Sequence, residues 1–423
     1  MKRSLTTATV LILALGFSTA FISAEVTRTL EADVPVSRGT DLVIENLIGS
    51  MKVVPGSGDT VRMVAIVHAE DEELAGLVSI STKPRNGKTH LRVEYPLDKH
   101  STIRVPEGLS VTASSGFLDR WFGGGGTKYG DHTVRFRDRK GVLLYADVEV
   151  QVPALELEAR FSNLVGSLHA ERVSGNLQFE THQGDIRLHS LRGEISTDMG
   201  SGNTKAKDIE GSFSCDSGSG DCDLEDMRGE AVTCDTGSGQ ITLRSVKVSG
   251  RIQADTGSGD VHGQDLEGSF ECNTGSGDCT LDGLSGKTVT CDTGSGTVRL
   301  RSVTADQIRV DTGSGDVFAD GINAREFRAD TGSGDVHIST SGDRLTRVTA
   351  DTGSGNVKVG LQADASFELR ASTGSGDIIS RFEDAQALVE GKEVIGYRRG
   401  EARIKLTIDT GSGNVIVEPT GKK

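Results

Sequence analysis

The sequence is poor in aromatic rings, in proline and in long apolar runs, and each shortage excludes something. Aromatic residues make up 4% of the chain, with a single Trp. The repeats described below carry only scattered rings (Phe213, Phe270, Phe318, Phe327), so they offer few faces for a sugar to stack on. Seven prolines occur, all at or before Pro153 or at Pro419. No proline therefore interrupts a hydrogen-bond ladder across the long middle of the chain. Beyond the first two dozen residues no stretch approaches the roughly 18 apolar residues of a membrane-spanning helix. Basic clusters are missing as well. The formal charge is −15, which makes nucleic acid and anionic lipid poor partners, since both need positive charge to neutralise phosphate. There is no Gly-x-Ser-x-Gly elbow and no phosphate loop with its Lys.

What the chain does contain begins with an export signal. Lys2 and Arg3 precede an apolar run from Ala8 to Phe21, and Ile22-Ser23-Ala24 supplies a small residue before Glu25. This is the pattern of a secretory signal peptide over residues 1–24, with an apolar run too short to span a bilayer. The mature chain is expected in the periplasm, outside the cell or at its surface, with no integral membrane segment.

Glycine is abundant, at 55 residues, and it is periodic. The last glycine of a Thr-Gly-Ser-Gly-like bend falls at Gly166, Gly184, Gly202, Gly220, Gly239, Gly259, Gly277, Gly296, Gly315, Gly334, Gly355, Gly376 and Gly413. The steps run from 18 to 21 residues, except the last, of 37, which reads as two turns with one degenerate bend. Two and four places after most of these glycines the residues are apolar (Val261, Val298, Val317; Leu243, Leu281, Leu300), with polar ones between them (Thr242, His262, Arg299). That alternation marks strands half-buried against a core. A repeat of about 19 residues cannot bury its apolar face alone, so neighbouring turns must stack. The expectation is an all-β fold: a right-handed parallel β-helix over residues 154–418, with two strands per turn, room for a short third, and a tail at 419–423. Asp208 to Val246 matches Asp265 to Val303 at 25 of 39 positions, three turns further on.

Residues 25–153 alternate without the regular bend, as in Val61 to Val67 and Leu91 to Tyr95. They are expected to form irregular β structure that begins the solenoid and caps its open end. Gly116 to Gly130, with Phe117, Trp121, Phe122 and Tyr129, reads as a flexible insertion.

The leader, the segment Glu45-Asn46-Leu47-Ile48-Gly49-Ser50 and the serial Asp-Thr-Gly-Ser-Gly-Asp-Val turns resemble the bacterial β-strand-repeat adhesin family, a domain of unknown function. The resemblance covers most of the mature chain. It implies a parallel β-helix at the envelope or surface and brings no catalytic residues with it.

Asp-Thr-Gly-Ser, present at Asp235, Asp255, Asp292, Asp311, Asp330, Asp351 and Asp409, is also the aspartic-protease signature. That chemistry needs two carboxylates sharing one proton, which copies stacked in one column do not supply. Columns containing Asp235, Asp255, Asp311 and Asp330 before the bend, and Asp260, Asp316 and Asp335 after it, set like charges ~4.8 Å apart. At that spacing they repel by about 1 kcal/mol in water. Either backbone N–H groups of the bends or bound Ca²⁺ would offset this; no other cofactor is expected. Cys215, Cys222 and Cys234 form one inward triplet, and Cys272, Cys279 and Cys291 another. Cys215 and Cys222 flank one bend, and Cys215 and Cys234 share a site one turn apart. Either pair would bridge in an oxidising compartment, or all are small buried residues. His169, His262 and His337 share an outward column but sit several turns apart, so they cannot converge. Trp121, Phe122 and Tyr129 are candidate ligand contacts, or packing over the solenoid end.

Two functional classes remain. One is a non-catalytic envelope scaffold or adhesin-like module, presenting a repetitive surface to an envelope protein or glycan. The other is a carbohydrate-active enzyme of polysaccharide lyase or hydrolase type. An enzyme needs long loops bearing acid and base along one groove, and these turns vary by at most three residues outside the last step.

Overall fold

The structure is a computed structural model describing residues 25–106, 109, 127–137 and 139–420. It divides into two compact units, Met1–Ser217 and Gly218–Lys423. The expected leader, Trp121 and Phe122 lie outside the described residues.

In the N-terminal unit a parallel stack runs from Asp41–Ile48 to Leu157–Val165, Ser174–Gln183, Ile186–Ser201 and Thr204–Ser217. Residues fall one over another: Ile44, Phe161, Phe179, Thr197 and Cys215 form one inward column, all buried. The stack begins within the irregular N-terminal part, ahead of the regular repeats. Residues 41–55 form its first turn, with Met51–Pro55 pairing Leu168–Glu171 on one edge. The chain then leaves on an excursion and packs on the outer edge of that turn, through Thr89–Glu94 and Val142–Val152. Thr60–Ala69 runs antiparallel to both Val26–Pro35 and Val142–Val152. Through Val142–Val152 these strands cover the edge that the first turn would otherwise leave unpaired. Glu72–Gly76, capped by Asp71, is the single helix among the described residues. The end of the expected insertion is ordered: Thr127–Tyr129 pairs antiparallel with His132–Arg137.

The C-terminal unit is a parallel β-solenoid. Cys222–Thr236, Ile241–Thr256 and Val261–Thr274 stack in turn, followed by 279–293, Val298–Thr312 and Val317–Thr331. The 298–312 turn shows the plan. Val298 and Leu300 point inward, the chain turns a corner at Ser302 (φ 53°), Val303 and Ala305 line a short second side, and Ile308, Val310 and Thr312 the third. Corners with positive φ recur at Asp226, Ser245 and Asp265. Each buried Val, Leu or Ile contributes about 1.5–3 kcal/mol, and the alternation delivers several per turn.

The last, 37-residue step is not two turns with a degenerate bend. Arg347–Thr352 pairs with Ile404–Thr410, which pairs on its other edge with Phe367–Thr373. Val357–Leu361 likewise pairs with Val415–Pro419, and that strand with Ile378–Ser380. The final turn of the chain thus lies inside the stack, beneath the turn that precedes it in sequence. The extra residues form an antiparallel hairpin, Gln386–Glu390 with Glu393–Arg399, whose second strand covers Phe367–Thr373.

Candidate functional site

The repeated bend is the most elaborate device in the C-terminal unit. Thr312 is buried, and its Oγ1 accepts from Gly315 N (3.1 Å) and donates to Gly296 O of the neighbouring layer (3.0 Å). Gly313 N donates to Thr293 O (3.1 Å). The same pair of hydroxyl bonds recurs at Thr236, Thr256, Thr274, Thr293, Thr331, Thr352, Thr410 and Thr373. Threonine here is a staple between layers. The closing glycine is required by contact: a Cβ at Gly315 would lie 1.8 Å from Gly296 O.

The carboxylate after the bend is also committed to the stack. Asp260 Oδ1 accepts from Asp278 N (2.9 Å), Asp316 Oδ1 from Asp335 N (2.8 Å), and Asp335 Oδ1 from Asn356 N (2.7 Å). For these three carboxylates the backbone donors come from the next layer rather than from the carboxylate's own bend. Burial alone would raise the Asp278 carboxyl. The Thr297 N–H and the Arg299 guanidinium together hold it below the usual range.

The carboxylates before the bend face outward. Asp235, Asp255, Asn273 and Asp292 border a shallow groove of about 450 Å³ floored by Thr256, Thr274 and Gly275. Asn273 Nδ2 donates to Asp255 (2.7 Å), while Arg309 and Arg328 lie 3.7 Å from Asp311 and Asp330. Further along, Asp351 has its carboxyl raised, by desolvation first and then by Asp330 and Asp409 in the flanking layers. Among the described residues no three His, Cys, Asp or Glu side chains converge as a metal ion would require.

All six cysteines are buried. The close sulfur pairs run across the core of a single turn: Cys222 and Cys234 at 3.2 Å, and Cys279 and Cys291 at 3.4 Å. Cys279 also contacts Cys272, and that pair flanks a bend as Cys215 and Cys222 do in sequence. The contact across the turn is the one that spacing does not reveal, because the first and third sides of a turn face each other only once folded. Hydrogen bonds to Cys272 and Cys291, with burial, push the Cys279 thiol well up, the direction expected of a buried structural cysteine.

In the N-terminal unit, Tyr129 is buried rather than offered as a contact. Its hydroxyl donates to Val93 O (2.7 Å) and Arg92 lies over its ring. Arg92 also pairs with Glu45. The bend staple here is asparagine: Asn46 Nδ2 donates to Ala146 O and Asn163 Oδ1 (both 2.9 Å), Asn163 Nδ2 to Gly49 O (2.9 Å), and Tyr95 OH to Asn46 Oδ1 (2.8 Å). The likeness of Asn46-Leu47-Ile48-Gly49-Ser50 to Asn163-Leu164-Val165-Gly166-Ser167 was the available signal for it. A second cluster joins His68 to Glu25 (2.9 Å) and Asp147 (3.2 Å), with Tyr145 stacked on the imidazole at 4.4 Å. Ser50 Oγ donates to Asp147 Oδ1 (2.7 Å) rather than to His68, so the group is not a nucleophile with its base.

Parallel turns stapled at a glycine bend define a β-solenoid scaffold. The chain belongs to the Toastrack DUF4097 family, whose pattern matches residues 145–281 and 252–418. Solved structures that it is similar to include a proposed cell adhesion protein from Clostridium sporogenes (9% identity, 93% of this chain and 100% of that one, TM-score 0.15). A proposed adhesin from Bacteroides fragilis (11%, 92% and 96%, 0.17) and a proposed lipid binding protein from Parabacteroides distasonis (12%, 78% and 96%, 0.26) are others. No curated protein matches the sequence.

Proposed function

We propose that the protein is an exported, non-catalytic, adhesin-like scaffold of the cell envelope that binds an envelope protein or glycan through ladders of like side chains. The observation that carries this reading is the outward carboxylate column. Asp292, Asp311, Asp330, Asp351 and Asp409 hold the same position in successive layers. Hydrolysis by a pair of carboxyls needs one held protonated as acid and the other ionised, set apart by unlike surroundings on either side of a bond. A ladder instead repeats one group at a fixed interval and suits an extended partner. Lys2, Arg3 and the apolar run after them support export. Glu25, which follows the expected cleavage point, is held by His68 and by Tyr145 (2.6 Å).

The test uses purified protein beginning at Glu25, incubated with isolated cell envelopes and with soluble polysaccharides. Saturable envelope binding that weakens when Asp311, Asp330 and Asp351 are changed together to Asn, with no new reducing ends, is expected. Depolymerisation of a polysaccharide would overturn the reading in favour of an enzyme.

A further inference from the structure

The last turn of the chain occupies a slot between two walls that precede it in sequence. Leu406 and Ile408 sit between Val348 and Ala350 on one side and Leu369 and Ala371 on the other. Thr410 Oγ1 donates to Gly355 O (2.8 Å), and Thr373 Oγ1 donates to Gly413 O (2.8 Å), so the staple crosses both boundaries. Asn414 N donates to Asn356 Oδ1 (3.0 Å) and Asp377 N to Asn414 Oδ1 (2.9 Å). Glu418 is clamped from both walls, by Lys358 and Arg381, each at 2.6 Å. The slot therefore reads a strand of defined register, polarity and charge, and none of these contacts depends on which molecule supplies it.

The connection into the slot is short and strained. Gly400 has φ 60° and Ala402 φ 56°, a left-handed conformation that an L-residue with a Cβ adopts at a cost. Straightening residues 400–403 removes that strain while leaving every contact in the slot available. A short strained hinge next to a self-contained strand favours exchange between copies.

We propose that two copies of this chain associate by exchanging residues 404–419, each filling the other's slot, with 400–403 as the extended hinge. The inference is independent of the binding role proposed above.

The test is co-refolding of equal amounts of ¹⁴N- and ¹⁵N-labelled protein (residues 25–423), at micromolar concentration and near the effective concentration of a short tether, of order millimolar. Light scattering after gel filtration then gives the mass, and zero-length carbodiimide coupling joins Lys358 to Glu418. Expected is a dimer fraction that rises with refolding concentration and survives hundredfold dilution, with about half of its Lys358–Glu418 links joining light to heavy chains, the random-pairing limit under mass action. Changing Ala402→Gly relieves the hinge without touching the slot and should lower the dimer fraction. A monomer at both concentrations, or a dimer whose links are all of one isotope, overturns the proposal.

Discussion

Replacing Thr312 by Val tests the bend staple. The hydroxyl joins Gly315 N at 3.1 Å and Gly296 O at 3.0 Å. Removing it forfeits two hydrogen bonds of about 1 kcal/mol each and strands the Gly315 amide, buried, without an acceptor. A local loss of about 2–3 kcal/mol should follow. Thr312→Ser keeps both bonds and loses one methyl, which costs about 1 kcal/mol. A stack of repeats need not unfold in one step, so the readout is native-state hydrogen exchange at Gly315. Its amide should exchange about 30-fold faster or more in the Val variant, and only several-fold faster in the Ser variant. A Val variant as protected as the parent, beside a weakened Ser variant, would refute the reasoning. Methyl packing rather than the hydroxyl would then hold the bend.

Three other outcomes follow from the same geometry. In a urea titration Gly315→Ala should cost about 3 kcal/mol or more, because its Cβ would meet a backbone oxygen 1.8 Å away and the neighbouring layer cannot move without opening; Gly76→Ala, with nothing within 4 Å, should be tolerated. Tyr95→Phe leaves the buried Asn46 carbonyl short of a donor and should destabilise the N-terminal unit by about 1–3 kcal/mol, seen as faster exchange over Asp41–Ile48. The bond to Asp147, against desolvation and with the Glu25 charge, raises His68 above its ordinary value. Its contribution is therefore complete below the unfolded value near 6.5 and is lost as pH rises through the folded one. The melting temperature should fall over that window in the parent and stay flat in His68→Gln, and parallel curves would exclude the effect.

Most of the fold was legible because bend and alternation repeat together. Gly239, Gly259 and Gly277 marked the layers, and Val261 and Leu281 the inward face, so stacking followed from burial alone. The threading at the C-terminal end was hidden for the same reason. Residues 367–380 and 404–419 carry the same bend and the same alternation, so no local preference distinguishes which of them stacks on 347–361. Hydrophobic quality is the weak clue. Residues 404–419 contribute Leu406, Ile408, Val415 and Val417 to the interior, all buried, whereas 378–380 ends on Ser380, which is not. The residues of the first turn, 41–55, were not marked because its staple is Asn46 rather than a Thr-Gly pair. Tyr129 lay next to a glycine run, and nothing in its neighbourhood announced that Arg92 and Val93 would enclose it. The acidic columns were visible at once, but their partners were not. The N–H that satisfies Asp316 belongs to Asp335, 19 residues away, and becomes a neighbour only once the turns stack.

In the acidic ladders of the C-terminal unit Asp260, Asp316 and Asp335 accept backbone amides, Asp255 accepts from Asn273, and arginines lie beside Asp311 and Asp330. Added calcium tests most directly the expectation that these partners and not an ion hold the columns. Thermal unfolding of residues 25–423 in millimolar Ca²⁺ and in chelator should give one midpoint. A midpoint that rises with Ca²⁺ would contradict it, since an ion bound at a hundred times its Kd stabilises the folded state by about 2.7 kcal/mol per site. The columns from Asp235 to Asp409 would then be ion sites, and the solenoid a fold completed only after export.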